Sequence, residues 1–208
     1  MPASRGAQPR RLDPLAQFLI IVLLAGLTAG FLFRNTLYLH IVRGYSPALA
    51  GLLILPMAAA TVIASPLSGR LVAAGRGRWA LVGGGTAIAA AALITLSPAT
   101  PVAELAVVYA VFGIGFGLVN PPISNTAVSG MPAAQAGVAA SVASTSRQVG
   151  SAPGVAITGR LLAGHTAAGF TAASHPGWTV IAACGLAVVL TGLVSTSRWA
   201  PPERAAHP

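Results

Sequence analysis

Charge is confined to a few short stretches of this 208-residue chain. No Asp, Glu, Lys or Arg occurs from Gly44 to Gly69, from Trp79 to Ala103, from Leu105 to Ser146, or from Leu161 to Ser197. A water-soluble globule cannot be coated by such a sequence, because an ordinary soluble surface needs about a quarter of its residues charged. Here 12 basic and 3 acidic residues supply 7%, against 55% apolar side chains. The mean hydropathy is +0.78. Glycine, proline and arginine break the uncharged intervals into runs of about 17 to 27 residues, the length that crosses roughly 30 Å of hydrocarbon as a helix. The expected solvent is therefore a lipid bilayer, and the expected fold is an all-α, polytopic bundle of six transmembrane helices.

The six candidate spans are Leu15–Val42, Ala48–Val72, Trp79–Leu96, Val102–Val128, Gly137–Ala163 and Trp178–Thr196. They leave tails at 1–14 and 197–208 and short loops, the longest about Gly164–Gly177, with no room for a separate soluble domain. An even number of spans puts both tails on one side. If that side is the cytoplasm, the inner segments hold Arg5, Arg10, Arg11, Arg70, Arg76, Arg78, Arg198 and Arg204, and the outer ones only Arg43 and Arg160. The positive-inside bias then places both termini in the cytoplasm, with the chain multi-pass in the cell membrane. Arg10 and Arg11 before Leu15–Leu27 imitate a secretory signal, but five later spans favour a retained first helix.

Several function classes drop out. The net charge of +9 suggests nucleic acid only if the arginines form a patch interleaved with aromatics. They are scattered through short loops, and the aromatics, at 6%, lie inside apolar runs. Cys184 is the one cysteine, so neither an internal disulfide nor a thiolate pair for a metal is expected. Gly113, Gly115 and Gly117 superficially imitate a dinucleotide fingerprint, but no strand precedes them, and no cofactor is expected. Intramembrane hydrolysis needs a nucleophile beside a histidine base. Ser68 and Ser129 lie near span ends and His165, His175 and His207 in loops or tail, so an enzyme is not expected.

Polar groups inside spans are costly and are functional candidates by default. The first span carries Arg34, Asn35 and Tyr38. Arg34 and Tyr38, four apart, share a helical face and are candidates for contacting substrate; equally, Leu15–Phe33 already suffices to cross, with Arg34 snorkelling at the interface. In the fourth span the three glycines permit close helix contact, and Pro121-Pro122 remove backbone donors and bend the helix. Asn120, Ser124 and Asn125 then either line a cavity or cap the helix end. The fifth span has Gly137, Ser141, Ser144, Gln148 and Ser151 on one stripe, read as a packing seam or a cavity lining. Arg147 borders it and needs a partner from another helix, carbonyls, water or a ligand. Helix kinks and packing are further expected at Pro56, Pro66, Gly150, Pro153 and Gly154. No carboxylate lies mid-span, so a proton-coupling acid is expected elsewhere than on this chain, with His40 the one conceivable substitute.

These pieces fall in a recognisable order: Leu37-Tyr38-Leu39 before Gly44-Tyr45-Ser46-Pro47, Leu55-Pro56, Ser65-Pro66-Leu67-Ser68-Gly69-Arg70 leading to Gly75-Arg76-Gly77-Arg78, then Gly113 to Pro122, and Arg147-Gln148-Val149-Gly150. From Leu15 onward the chain resembles the carboxy-terminal half of a major facilitator superfamily transporter, in the fourteen-span drug:proton antiporter branch (EmrB/QacA type). His40, Ser144 and Arg34 depart from the usual pattern, and the amino-terminal half, with its antiporter signature, is not in this sequence. The resemblance implies proton-coupled efflux of small amphiphilic molecules by two six-span halves rocking about a midplane site, with an amino-terminal half as partner. It implies that spans one, two, four and five line the cavity, while three and six face lipid. Arg70, Arg76 and Arg78 would hold the inward gate; topology determination explains them as well. The other reading is a truncated, non-transporting remnant or accessory subunit.

Overall fold

The structure, a computed structural model, describes residues 14–93, 101–128, 136–163 and 167–194. It is all helix there: α1 (Pro14–Leu37), continued by a π-helical turn (Tyr38–Val42), α2 (Pro47–Ala73), α3 (Gly77–Leu93), α4 (Val102–Val128), α5 (Ala136–Leu162) and α6 (Ala167–Val194). Residues 1–13 and 197–208 of the sequence-derived tails, with Leu96 and Thr196, lie outside the described residues. Three helical segments, Ile21–Val42, Pro47–Ala73 and Val102–Ser124, are long and apolar enough to cross a membrane on length and composition.

One boundary differs from the sequence expectation. The sixth helix begins at Ala167, not Trp178, so the stretch expected to be the longest loop is largely helical. Pro176 is accommodated inside the helix, and Phe170, in the added turns, is buried against Tyr38 with ring centroids 6.3 Å apart. Proline marks a break in the sequence pattern; tertiary packing of Phe170 outweighs it.

The ends follow local chemistry. Ser46 caps α2, its hydroxyl accepting from the Leu49 amide at 3.4 Å with Pro47 at the first helical position. At the other end Gly75 takes φ +72°. The Gly75 amide donates to the Val72 carbonyl and the Arg76 amide to Leu71, a Schellman closure that needs a left-handed residue.

Glycines decide which helices touch. α1 packs on α5, α2 on α4, and α3 on both α4 and α6. A Cβ on Gly150 would strike the Val22 carbonyl, and one on Gly154 the Gly26 carbonyl. Across α2 and α4, Gly113 lies against the Met57 carbonyl, and a Cβ on Gly117 would sit 2.9 Å from the Thr61 oxygen. Gly115, on another face of α4, meets Gly84 of α3, and Gly85 meets Gly185 of α6. Lipid offers helices no hydrophobic drive to associate, so this close approach supplies the attraction through dispersion contacts. The pairing repeats with a two-fold pattern: α1 on α5 matches α4 on α2, and α3 meets α6.

One match fails. α4 runs closely along α3, whereas α1 touches α6 only briefly. At that junction stand Arg34 and Trp178 in place of glycines, and a cleft opens. The outer surface is apolar, with Leu52, Val62, Ile63, Leu186 and Leu190 all more than half exposed, as suits a lipid environment.

Candidate functional site

Two clefts flank α1 on opposite faces. The first, about 260 Å³, lies between α1, α4 and α5 and is lined by Ala25, Thr28, Phe116, Asn120, Ser124, Arg147 and Ser151 among others. The second, about 220 Å³, lies between α1, α5 and α6 and reaches from Val22 to Arg34. Residues 21, 25, 28 and 32 of α1 face the first, and 23, 27, 30 and 34 the second, an alternation set by 3.6 residues per turn.

The first cleft gathers three sequence candidates. Ser124 donates to the Asn120 Oδ1 at 3.4 Å along one face of α4. Arg147 reaches the same cleft from α5 and is otherwise exposed. Gln148 is exposed beside it and does not line the cleft. Asn125's side chain lies outside the described residues.

The stripe on α5 does not serve as a seam within this bundle. Gly137, Ser141, Ser144 and Gln148 are all exposed. The residues that do face α1 or are buried are Ala143, Ser146, Gly150 and Gly154, a neighbouring stripe. Hydroxyls on the outer stripe fold back on their own helix, as Ser141 does to the Gly137 carbonyl at 2.9 Å. α5 therefore presents an uncovered polar face along much of its length. It is absent from the helices apolar enough to span by composition.

Arg34, Asn35 and Tyr38 are brought together elsewhere. All three are buried at 2% exposure or less. Asn35 Nδ2 donates to the Phe31 carbonyl at 2.8 Å, and Tyr109 of α4 donates its hydroxyl proton to Asn35 Oδ1 at 3.2 Å. Phe31 stacks on Phe112 at 3.7 Å and lies edge-on to Tyr109 and Trp178. Arg34 does not snorkel outward; its Cζ sits 3.9 Å over the Trp178 ring. Sequence reading missed Tyr109, Trp178 and the phenylalanine pair, because partners from three separate helices leave no spacing signal. The one available hint was Arg34 itself, whose burial demands an aromatic or anionic neighbour.

Among the gating candidates, Arg70, Arg76 and Arg78 are exposed around the α2–α3 turn, with Arg78 5.0 Å over the Trp79 ring. Glu104, the acid within the described residues, opens α4 at the opposite end of the bundle. Arg43 donates to the Tyr45 hydroxyl at 2.8 Å, which raises its pKa further above an already high value.

Most of this glycine-knit bundle, from α1 into α5, is matched by a sequence profile. The Major Facilitator Superfamily profile covers residues 4–155. The chain belongs to the major facilitator superfamily. Among superfamily relatives, it is 36% identical over 135 residues to the multidrug resistance protein Stp of Mycobacterium tuberculosis, covering 64% of this chain and 25% of that protein. It is 37% identical over 149 residues to the puromycin resistance protein pur8 of Streptomyces alboniger, covering 69% and 29%. With the tetracenomycin C resistance and export protein of Streptomyces glaucescens it shares 31% over 171 residues, covering 77% and 31%. The chain thus spans between a quarter and a third of the length of these relatives. A superfamily protein is a membrane protein, and the lipid-suited outer surface described above agrees with that.

Proposed function

We propose that this chain is the carboxy-terminal half of a drug exporter in the fourteen-span drug:proton antiporter branch, multi-pass in the cell membrane with both termini cytoplasmic. It supplies one wall of the path for small amphiphilic molecules. The observation that carries this reading is the uncovered polar face of α5. Hydroxyls, Gln148 and Arg147 facing hydrocarbon would each cost free energy, about 3 kcal/mol for an arginine at mid-span on the insertion scale. An aqueous path between two halves removes that cost. The first cleft, with Asn120, Ser124 and Arg147, opens on the same face and is the substrate contact. Its apolar lining with a few polar groups suits amphiphiles.

Protons drive export through a carboxylate on the amino-terminal half, whether that half is on the same polypeptide or another. Arg70, Arg76 and Arg78 form the basic inner turn that bonds acidic or carbonyl groups in one state of the cycle and releases them in the other. The names of Stp, pur8 and the tetracenomycin protein support a resistance role.

The test is export of a fluorescent cationic dye from cells expressing this chain with and without six to eight amino-terminal spans of such a carrier. Export that requires both parts and collapses on dissipating the proton gradient supports the proposal. No export in either condition leaves a non-transporting remnant as the function.

A further inference from the structure

A second cleft lies between α1, α5 and α6. We propose that it holds one acyl chain of an acidic phospholipid, with the phosphate on Arg34. Three buried donors at the Arg34 end lack acceptors among the described residues: Arg34 Nε, Arg34 Nη1 and Trp178 Nε1. Arg34 is 2% exposed and Trp178 4%, and Arg34 lines the cleft, so an acceptor approaches the guanidinium from that side. The ring of Trp178 neutralises part of the arginine's charge but accepts no N–H bond in the guanidinium plane. Arg34 is the donor that lines the cleft, and phosphate matches a guanidinium fork.

The rest of the cleft fits a chain. It is lined by Leu27, Ile157, Val180 and Ile181, and from Arg34 to Val22 it runs about 18 Å along α1. The inference is independent of whether the chain transports anything.

Cys184, the chain's one cysteine, lines this cleft and is half-buried, so it reports occupancy. The experiment measures alkylation of Cys184 by a small maleimide in the full chain, in micelles doped with phosphatidylglycerol, phosphatidylcholine or palmitate. Phosphatidylglycerol is expected to slow alkylation at least fivefold, with phosphatidylcholine at equal concentration giving under twofold. Arg34→Gln should abolish the difference between the two lipids, and Arg147→Gln, the same charge removal on the other face, should keep it. Equal protection by both lipids, or protection by palmitate without phosphatidylglycerol, overturns the proposal, as does an unchanged difference in Arg34→Gln. Headgroup selectivity in the unsubstituted chain decides the matter even if Arg34→Gln misfolds.

Discussion

The Ser68 hydroxyl of α2 donates at 2.6 Å to the Leu118 carbonyl of α4, the carbonyl that the ring of Pro122 leaves without its helical donor. Pro122 has no N–H to return to the residue four before it. In lipid no water repairs that loss. A buried serine on the neighbouring helix does, and so the proline pair of α4 is tied to α2. The Thr61 hydroxyl, 2.8 Å from the Met57 carbonyl of its own helix, also lies 3.1 Å from the Gly113 carbonyl of α4.

Ser68→Ala is therefore expected to lower stability by about 1 kcal/mol, the scale of interhelical bonds in membranes. In a Pro122→Ala background the same change should cost almost nothing, since a restored backbone N–H serves the carbonyl. Unfolding equilibria in mixed micelles measure both. Equal costs in the two backgrounds would refute the compensation.

The α1–α5 seam predicts a sharp glycine contrast. Gly154→Leu places side-chain atoms against the Gly26 backbone, which cannot yield, and should cost roughly 1–3 kcal/mol. Gly137→Ala, with nothing within 4 Å, should stay within about 0.5 kcal/mol of the parent. The same micelle unfolding assay separates them.

In an assembled carrier, Arg147→Ala and Asn120→Ala should each reduce export of a charged or hydrogen-bonding substrate. A lost charged hydrogen bond is worth roughly 1.5–3 kcal/mol, so about a tenfold fall in kcat/KM is expected. Parental rates with parental selectivity for both would remove the first cleft from the path.

Orientation is checked by cysteine labelling in a Cys184→Ser background. Arg76→Cys on the α2–α3 turn should react only after cells are permeabilised, and Glu104→Cys at the head of α4 should react in intact cells. The reverse pattern would place the termini outside.

Helix count, approximate boundaries and solvent were readable in the one-dimensional pattern, because crossing hydrocarbon depends only on run length and on where charge is absent. Val102–Val128 came out as drawn, and Gly75 and Ser46 mark their own turns. Only the tertiary structure decided which faces meet. Gly113, Gly117, Gly150 and Gly154 announce close approach without naming a neighbour, since the chosen partners, α2 for α4 and α1 for α5, lie far away in sequence. The polar stripe of α5 reads as a seam or a cavity lining; in the bundle Gly137, Ser141, Ser144 and Gln148 form an open face and Ser151 lines the first cleft. Arg34 looked like an interfacial or substrate-facing charge. Its burial over Trp178 depends on how α6 stands off α1, a distance set by side-chain bulk from three helices that no local pattern encodes.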